Sequence, residues 1–97
     1  MYGNKILSAN GWETVENKKY SVSVGLYEKE GKYNYHERWH KGMGLYDDEH
    51  SKIETNLTKE EAMNRIVNLR NRRFFCEPSY LKPKYGVQWV IDTWFHN

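Results

Sequence analysis

The chain has 97 residues, which leaves room for one folding domain spanning residues 1–97 and excludes two independent ones. Its formal net charge of +2 at pH 7 permits contact with an acidic polymer, and excludes a protein that imitates nucleic acid by negative charge. Hydrophobic residues make up 38%, and no apolar run approaches the roughly 20 residues of a membrane-spanning helix, so we expect a cytoplasmic protein with no membrane partner.

The first half of the chain has the alternation of apolar and polar residues that is typical of strands. Residues 11–15 predict a first strand, and residues 20–27 a second, whose apolar side chains at alternate positions share one buried face. A charged turn containing Gly31 leads to a third strand over residues 33–39, and an acidic turn precedes a short strand near residues 51–55. About half the residues of the third strand are polar, so we expect at least one of its two faces to meet solvent or a ligand.

A helix over about residues 58–73 follows these strands. Thr58 and Glu61 have the spacing of a capping box, in which each side chain binds the other residue's backbone N–H. The apolar stripe expected to lie on the sheet is Ala62, Met63, Ile66, Val67 and Leu69.

Beyond the helix, Pro78 and Pro83 prevent helical continuation, and residues 87–95 predict a last strand. The sequence therefore predicts an α+β fold, in which a twisted antiparallel sheet of about four to five strands carries one main helix on one face.

The third strand supplies the first candidate binding site. Aromatic rings interleaved with cations can stack on unpaired bases while the cations offset phosphate charge. The residues expected to do so are Tyr35, Arg38, Trp39 and Lys41. This interpretation requires the Trp39 ring to face water. The alternative is that these rings are core residues, which we favour for Trp12 and Trp89.

The helix end supplies a second candidate, a basic cluster able to follow a phosphate backbone or an acidic protein surface. Its members are Arg65, Arg70, Arg72 and Arg73, with Lys82 and Lys84 in the following loop. The alternative is that these charges complement the helix dipole and that Glu61 pairs with Arg65.

Metal and nucleophile signatures are weak. His36 and His40 are four residues apart, but on a strand that spacing separates them by about 13 Å. They could join Asp47, Asp48, Glu49 and His50 in a divalent-metal site only if the acidic loop folded back over the strand. We interpret Cys76 as a small buried residue rather than a nucleophile. It is the only cysteine and therefore cannot form an internal disulfide.

Several segments resemble the WGR domain over about residues 17–75. They are NKKY at 17–20, GKY at 31–33, RWHKGMG at 38–44 and TKEEA at 58–62. In that resemblance Trp39 matches the family's tryptophan, and Lys41 stands where its arginine would be. Gly42 or Gly44 matches a later glycine, while His40 replaces the central one. The resemblance implies a sheet-plus-helix fold that contacts DNA ends or nucleotide sugars through Trp39 and Lys41.

Together these features favour a non-enzymatic binding module without a cofactor, which contacts nucleic acid or a nucleic-acid-binding protein complex. We expect its binding to weaken with salt and in Trp39→Ala. The alternative is a small inhibitor or adaptor of another protein, such as a phage-encoded anti-CRISPR-like protein. A homodimer formed by edge-to-edge pairing of the tyrosine-rich third strand is a further expectation. A metal-dependent hydrolase is the least favoured class.

Overall fold

The computed structural model describes residues 2–42, 46–47 and 49–78, with residues 75–78 described by their backbone alone. In this part of the chain five strands form one antiparallel sheet, with one helix packed on one of its faces. They are, in chain order, β1 (Asn4–Val15), β2 (Lys18–Lys29), β3 (Lys32–His40), β4 (Lys52–Leu57), the helix α1 (Lys59–Asn71) and β5 (Phe75–Pro78). Their order across the sheet is β4-β3-β2-β1-β5, and the predicted α+β class is confirmed.

Two tight hairpins join the first three strands. Glu16 and Asn17 connect β1 to β2 with φ angles of 50° and 67°, and Glu30 and Gly31 connect β2 to β3 with 51° and 80°. Two successive positive φ angles give a turn whose twist matches that of the flanking strands. The hairpins align long strands, so that β1 begins at Asn4 rather than at residue 11 as predicted.

The helix begins as predicted. The Thr58 hydroxyl accepts a hydrogen bond from the Glu61 N–H at 3.1 Å, and the Glu61 carboxylate accepts one from the Thr58 N–H at 3.0 Å. The buried helix residues are Ala62, Ile66 and Leu69, with Met63 packed against them. The expectation for Val67 is wrong: it is 44% exposed, because one residue beyond Ile66 the helix has turned away from the sheet.

Alternation along the strands gives the sheet two unlike faces. The face under the helix holds the core, which includes Val22, Val24 and Leu26 of β2 and Tyr33 and Tyr35 of β3. We call the opposite side the polar face. Its strand positions include Lys5, Ser8, Asn10, Trp12, Thr14, Lys19, Ser21, Ser23, Gly25, Tyr27, Asn34, His36, Arg38, His40, Ile53 and Thr55, and by register Phe75 and Glu77 of β5.

The predicted tyrosine-rich strand, β3, lies inside the sheet rather than at its edge. It pairs with β2 on one side and β4 on the other. β3 therefore has no free edge that could pair with a second copy, and that part of the dimer expectation is wrong.

The remaining predictions for the C-terminal region concern residues outside the described part of the chain. The predicted strand 87–95, with Trp89, and the loop cations Lys82 and Lys84 lie outside the described residues, as does the side chain of Cys76. Among the described residues, no helix has the length and apolar character needed to span a bilayer.

Candidate functional site

Trp39, the centre of the site predicted from sequence, is a core residue. Its side chain is only 8% exposed, and its indole N–H donates to Glu37 Oε1 at 2.9 Å. The ring stacks on His50 with centroids 5.0 Å apart and meets Tyr20 edge-on. The expectation of an exposed indole is wrong, because Trp39 alternates in phase with Tyr35 toward the helix. Arg38 and Trp39 therefore lie on opposite faces of β3.

Tyr35 and Arg72 belong to a buried network around Glu37. Tyr35 is 2% exposed and its hydroxyl donates to Glu37 Oε2. Arg72 donates to both Glu37 oxygens at 3.0 Å, and its Nε donates to Glu13 Oε1 at 2.6 Å. Burial opposes ionisation of Glu37, but hydrogen bonds from Arg72, Tyr35 and Trp39 outweigh it and lower the Glu37 pKa. These hydrogen bonds stabilise the fold.

The helix-end arginines do not form one cationic patch. Arg65 makes a bidentate pair with Glu54, with contacts of 2.8 and 2.7 Å, rather than the expected pair with Glu61. Arg65 and Arg72 share a helix face as their spacing predicts, but that face meets strand carboxylates. Arg70 and Arg73 remain exposed on the helix and after its end. Lys41 is exposed directly after β3.

The polar face holds the exposed aromatic rings with cations beside them. Trp12 is 63% exposed, against the expectation that it packs, because its position in β1 alternates away from the helix. The Lys19 ammonium lies 4.7 Å from the centroid of the Trp12 ring. On β3, the Arg38 guanidinium lies 5.6 Å from the ring centroid of Tyr46, which is 50% exposed. The Trp12 and Tyr46 rings thus each have a basic partner on the same face.

A second aromatic group lies at the other end of β2. The ring centroids of Tyr27 and His36 are 5.0 Å apart, and the Tyr2 ring meets the His36 ring edge-on with centroids 3.9 Å apart. The Lys5 ammonium lies 5.6 Å from the Tyr27 ring centroid. Burial, Arg38 and Lys5 all lower the pKa of His36, so its ring is neutral at pH 7.

Charge is divided unevenly between the two faces. Among the strand positions of β1 to β4, the polar face carries cations, among them Lys5, Lys19 and Arg38, and no carboxylate. In β5, Glu77 pairs with Ser8 and so takes a position on the same face. The strand carboxylates Glu13, Glu37 and Glu54 lie on the helix side, where arginines pair with them. The polar face consequently presents positive charge to solvent.

Three cavities border this face. One of about 240 Å³ is lined by Lys5, Tyr27, His36, Arg38, His40 and Tyr46. Another, of about 510 Å³, is lined in part by Trp12, Ser21, Arg72 and Arg73, so the structure brings two of the helix-end arginines to the cavity beside the exposed indole. A third, of about 460 Å³, lies near β4 and includes Arg38, Tyr46 and Ile53.

Among the described residues, the histidines and acidic residues predicted as a metal site do not assemble as one group; Asp48 lies outside the described residues. His36 lies on the polar face, whereas His50 stacks on Trp39 on the helix side. Asp47, Glu49 and His50 place potential ligand atoms within 4.8 Å of one another. His50 Nδ1 is 2.8 Å from Asp47 Oδ2. Hydrogen bonds to His50 oppose the effect of burial on Asp47 and lower its pKa. This contact ties the loop after β3 together.

No protein-family model, curated protein or solved structure matches the chain. The resemblance to the WGR domain stays a prediction that rests on the segments quoted above.

Proposed function

We propose that this protein is a non-enzymatic binding module that binds single-stranded nucleic acid on its polar face. The observation that carries the proposal is the pairing of exposed rings with cations, Trp12 with Lys19 and Tyr46 with Arg38, on a face whose positions in β1 to β4 have no carboxylate. Aromatic stacking requires bases with a free π-face, which a single strand offers and a duplex does not.

The dimensions of the face suit a short stretch of strand. Trp12 pairs with Ser21, six residues before Tyr27 on β2, and at about 3.3 Å per residue the two rings are separated by roughly 20 Å. Between them β2 contributes Ser21 and Ser23, whose side chains are small, and Gly25, over which the Tyr27 ring lies. A nucleic-acid strand lying along β2 would meet Trp12 at one end and Tyr27 at the other.

The proposal predicts salt-dependent binding to a labelled oligonucleotide of about 16 nucleotides, measured by fluorescence anisotropy. Trp12→Ala should weaken binding by about 5- to 150-fold, the equivalent of about 1–3 kcal/mol for one stacked base. Arg38→Gln should lower the slope of log affinity against log salt by about 0.7. Both positions are exposed, so the variants should remain folded.

Adjacent residues provide a matched control for charge. Lys19 lies on the polar face, and Lys18, one position earlier in β2, alternates to the helix side. Lys19→Gln should weaken binding more than Lys18→Gln, although each variant loses the same charge. Equal effects would show that net charge alone governs association and would contradict the proposed surface.

Absence of oligonucleotide binding at low salt would overturn the proposal. Recovery of one stoichiometric protein partner from the native host, unchanged by nuclease treatment and lost in Tyr46→Ala, would then favour a protein-binding inhibitor or adaptor. Tyr46 and Ile53 are 50% and 54% exposed beside the cavity near β4, an arrangement that suits an interface anchor.

A further inference from the structure

The cavity of about 240 Å³ on the polar face is smaller than the pockets that take drug-sized ligands. It therefore suits one compact group. The Tyr27 ring can lie beside it because Gly25 has no side chain: a Cβ there would come within 2.9 Å of Tyr27 Cε1. Lys5 and Arg38 contribute the two positive charges among the described lining residues.

The polar groups around this cavity are chiefly hydrogen-bond donors. Lys5 and Arg38 can only donate, Tyr27 and Tyr46 carry phenolic O–H groups, and Ser23 adds a hydroxyl. The described lining residues include no carboxylate. Such a donor set, with two cations and no competing anion, matches an oxyanion.

His36 gives an independent indication of a missing partner. The residue is only 4% exposed, and its Nε2 has no hydrogen-bond partner among the described residues. A buried polar nitrogen left unpaired is costly, and the cost is removed when a ligand supplies an oxygen.

We propose that this cavity is a phosphate subsite, in which Lys5 and Arg38 hold the oxyanion and His36 Nε2–H donates to one of its oxygens. The inference rests on the proposed function for the source of the phosphate, either a backbone phosphodiester or a terminal phosphate. The chemistry of the subsite depends only on the groups that line it.

Binding at this subsite is coupled to a proton. The groups that contact His36 or share its cavity are Tyr2 from the N-terminal segment, Lys5 from β1, Tyr27 from β2, Arg38 and His40 from β3 and Tyr46 after it, while β4 places apolar Ile53 opposite. The cations among them disfavour imidazolium, and a bound anion offsets their charge. An oxyanion should therefore raise the pKa of His36, and its affinity should fall as pH rises through that pKa.

The test is an NMR titration of the histidine ring protons against pH, with and without sulfate, whose charge stays constant over this range. Sulfate should raise the pKa of His36. Arg38→Gln and Lys5→Gln should each weaken sulfate binding by about tenfold, the loss of one charge-assisted hydrogen bond. An unmoved His36 titration, or a shift that persists in both variants, would overturn the subsite.

Oligonucleotides with and without a 5′-phosphate then distinguish the two sources. Tighter binding of the phosphorylated strand, lost in Arg38→Gln, identifies a terminal phosphate, and equal binding of both with a raised His36 pKa identifies the backbone. A sulfate response without oligonucleotide binding would overturn the proposed function alone. Oligonucleotide binding with an unchanged His36 titration would overturn the subsite alone.

Discussion

The carboxylate of Glu37 accepts more hydrogen bonds than any other buried side chain among the described residues. Its replacement by glutamine therefore tests how much this network contributes to the free energy of unfolding. Glu37 is 3% exposed and accepts hydrogen bonds from Tyr35, Trp39 and Arg72. Glu37→Gln keeps the shape of the side chain but removes its charge. It also replaces one carboxylate oxygen, which accepts hydrogen bonds, with an NH2 group, which can only donate and so faces the donors around it. Arg72 then has Glu13 as its remaining carboxylate partner among the described residues.

The expected cost follows from burial. Removing one partner of a buried ion pair typically costs about 3–5 kcal/mol. The Arg72 side chain is 22% exposed and keeps Glu13, so water and the second carboxylate recover part of this, and we expect about 3 kcal/mol. For a domain of this size that loss lowers the melting temperature by roughly 12–24 °C.

Urea unfolding followed by circular dichroism measures this change, and Glu54→Gln is the matched control. Glu54 also pairs with an arginine, but the side chains of Glu54 and Arg65 are 26% and 31% exposed, so the control should cost about 1 kcal/mol or less. If Glu37→Gln costs no more than Glu54→Gln, the reasoning from burial is refuted.

Two further predictions concern the same core. Because the pKa of Glu37 is lowered in the folded protein, its contribution to stability is present above about pH 4.5 and is lost as pH falls through the folded pKa. The unfolding free energies of wild type and Glu37→Gln, measured against pH, should therefore converge in acid, and a constant difference would contradict this. Gly11→Ala should destabilise the fold by about 1–3 kcal/mol in thermal unfolding, because its Cβ would overlap the buried ring of Phe74; an unchanged melting temperature would contradict the packing.

Much of the fold could be predicted because local chemistry and tertiary packing agree there. The capping box of Thr58 and Glu61 and the alternation around Val22 and Val24 each specify an element without long-range information. The N-terminal part of β1 was missed because Ser8, Asn10 and Gly11 give it little β-propensity, and pairing with β2 supplies the missing stability. The short strand β5 depends on β1 in the same way.

The site was harder to predict because exposure in a strand depends on which face the helix covers. The sequence placed Trp39 and Arg38 together, whereas alternation separates them. One signal was available: Glu37 stands in phase with Tyr35 and Trp39, and a carboxylate on a buried face requires a cation. That requirement indicated that a cation reaches the helix side of β3, which the structure identifies as Arg72, and it left Arg38 and its neighbours on the opposite face as the ligand-binding candidates.

The adjacency of Glu37 and Arg38 also protects the sheet against misalignment. If β3 shifted by one residue against its neighbours, Arg38 would enter the core beneath the helix, and Glu37 would emerge among the lysines outside. Arg72 would then face another cation in place of its carboxylate. A single dipeptide of opposite charges thus penalises a one-residue shift in either direction, because each shift replaces the paired carboxylate under the helix with a second buried cation.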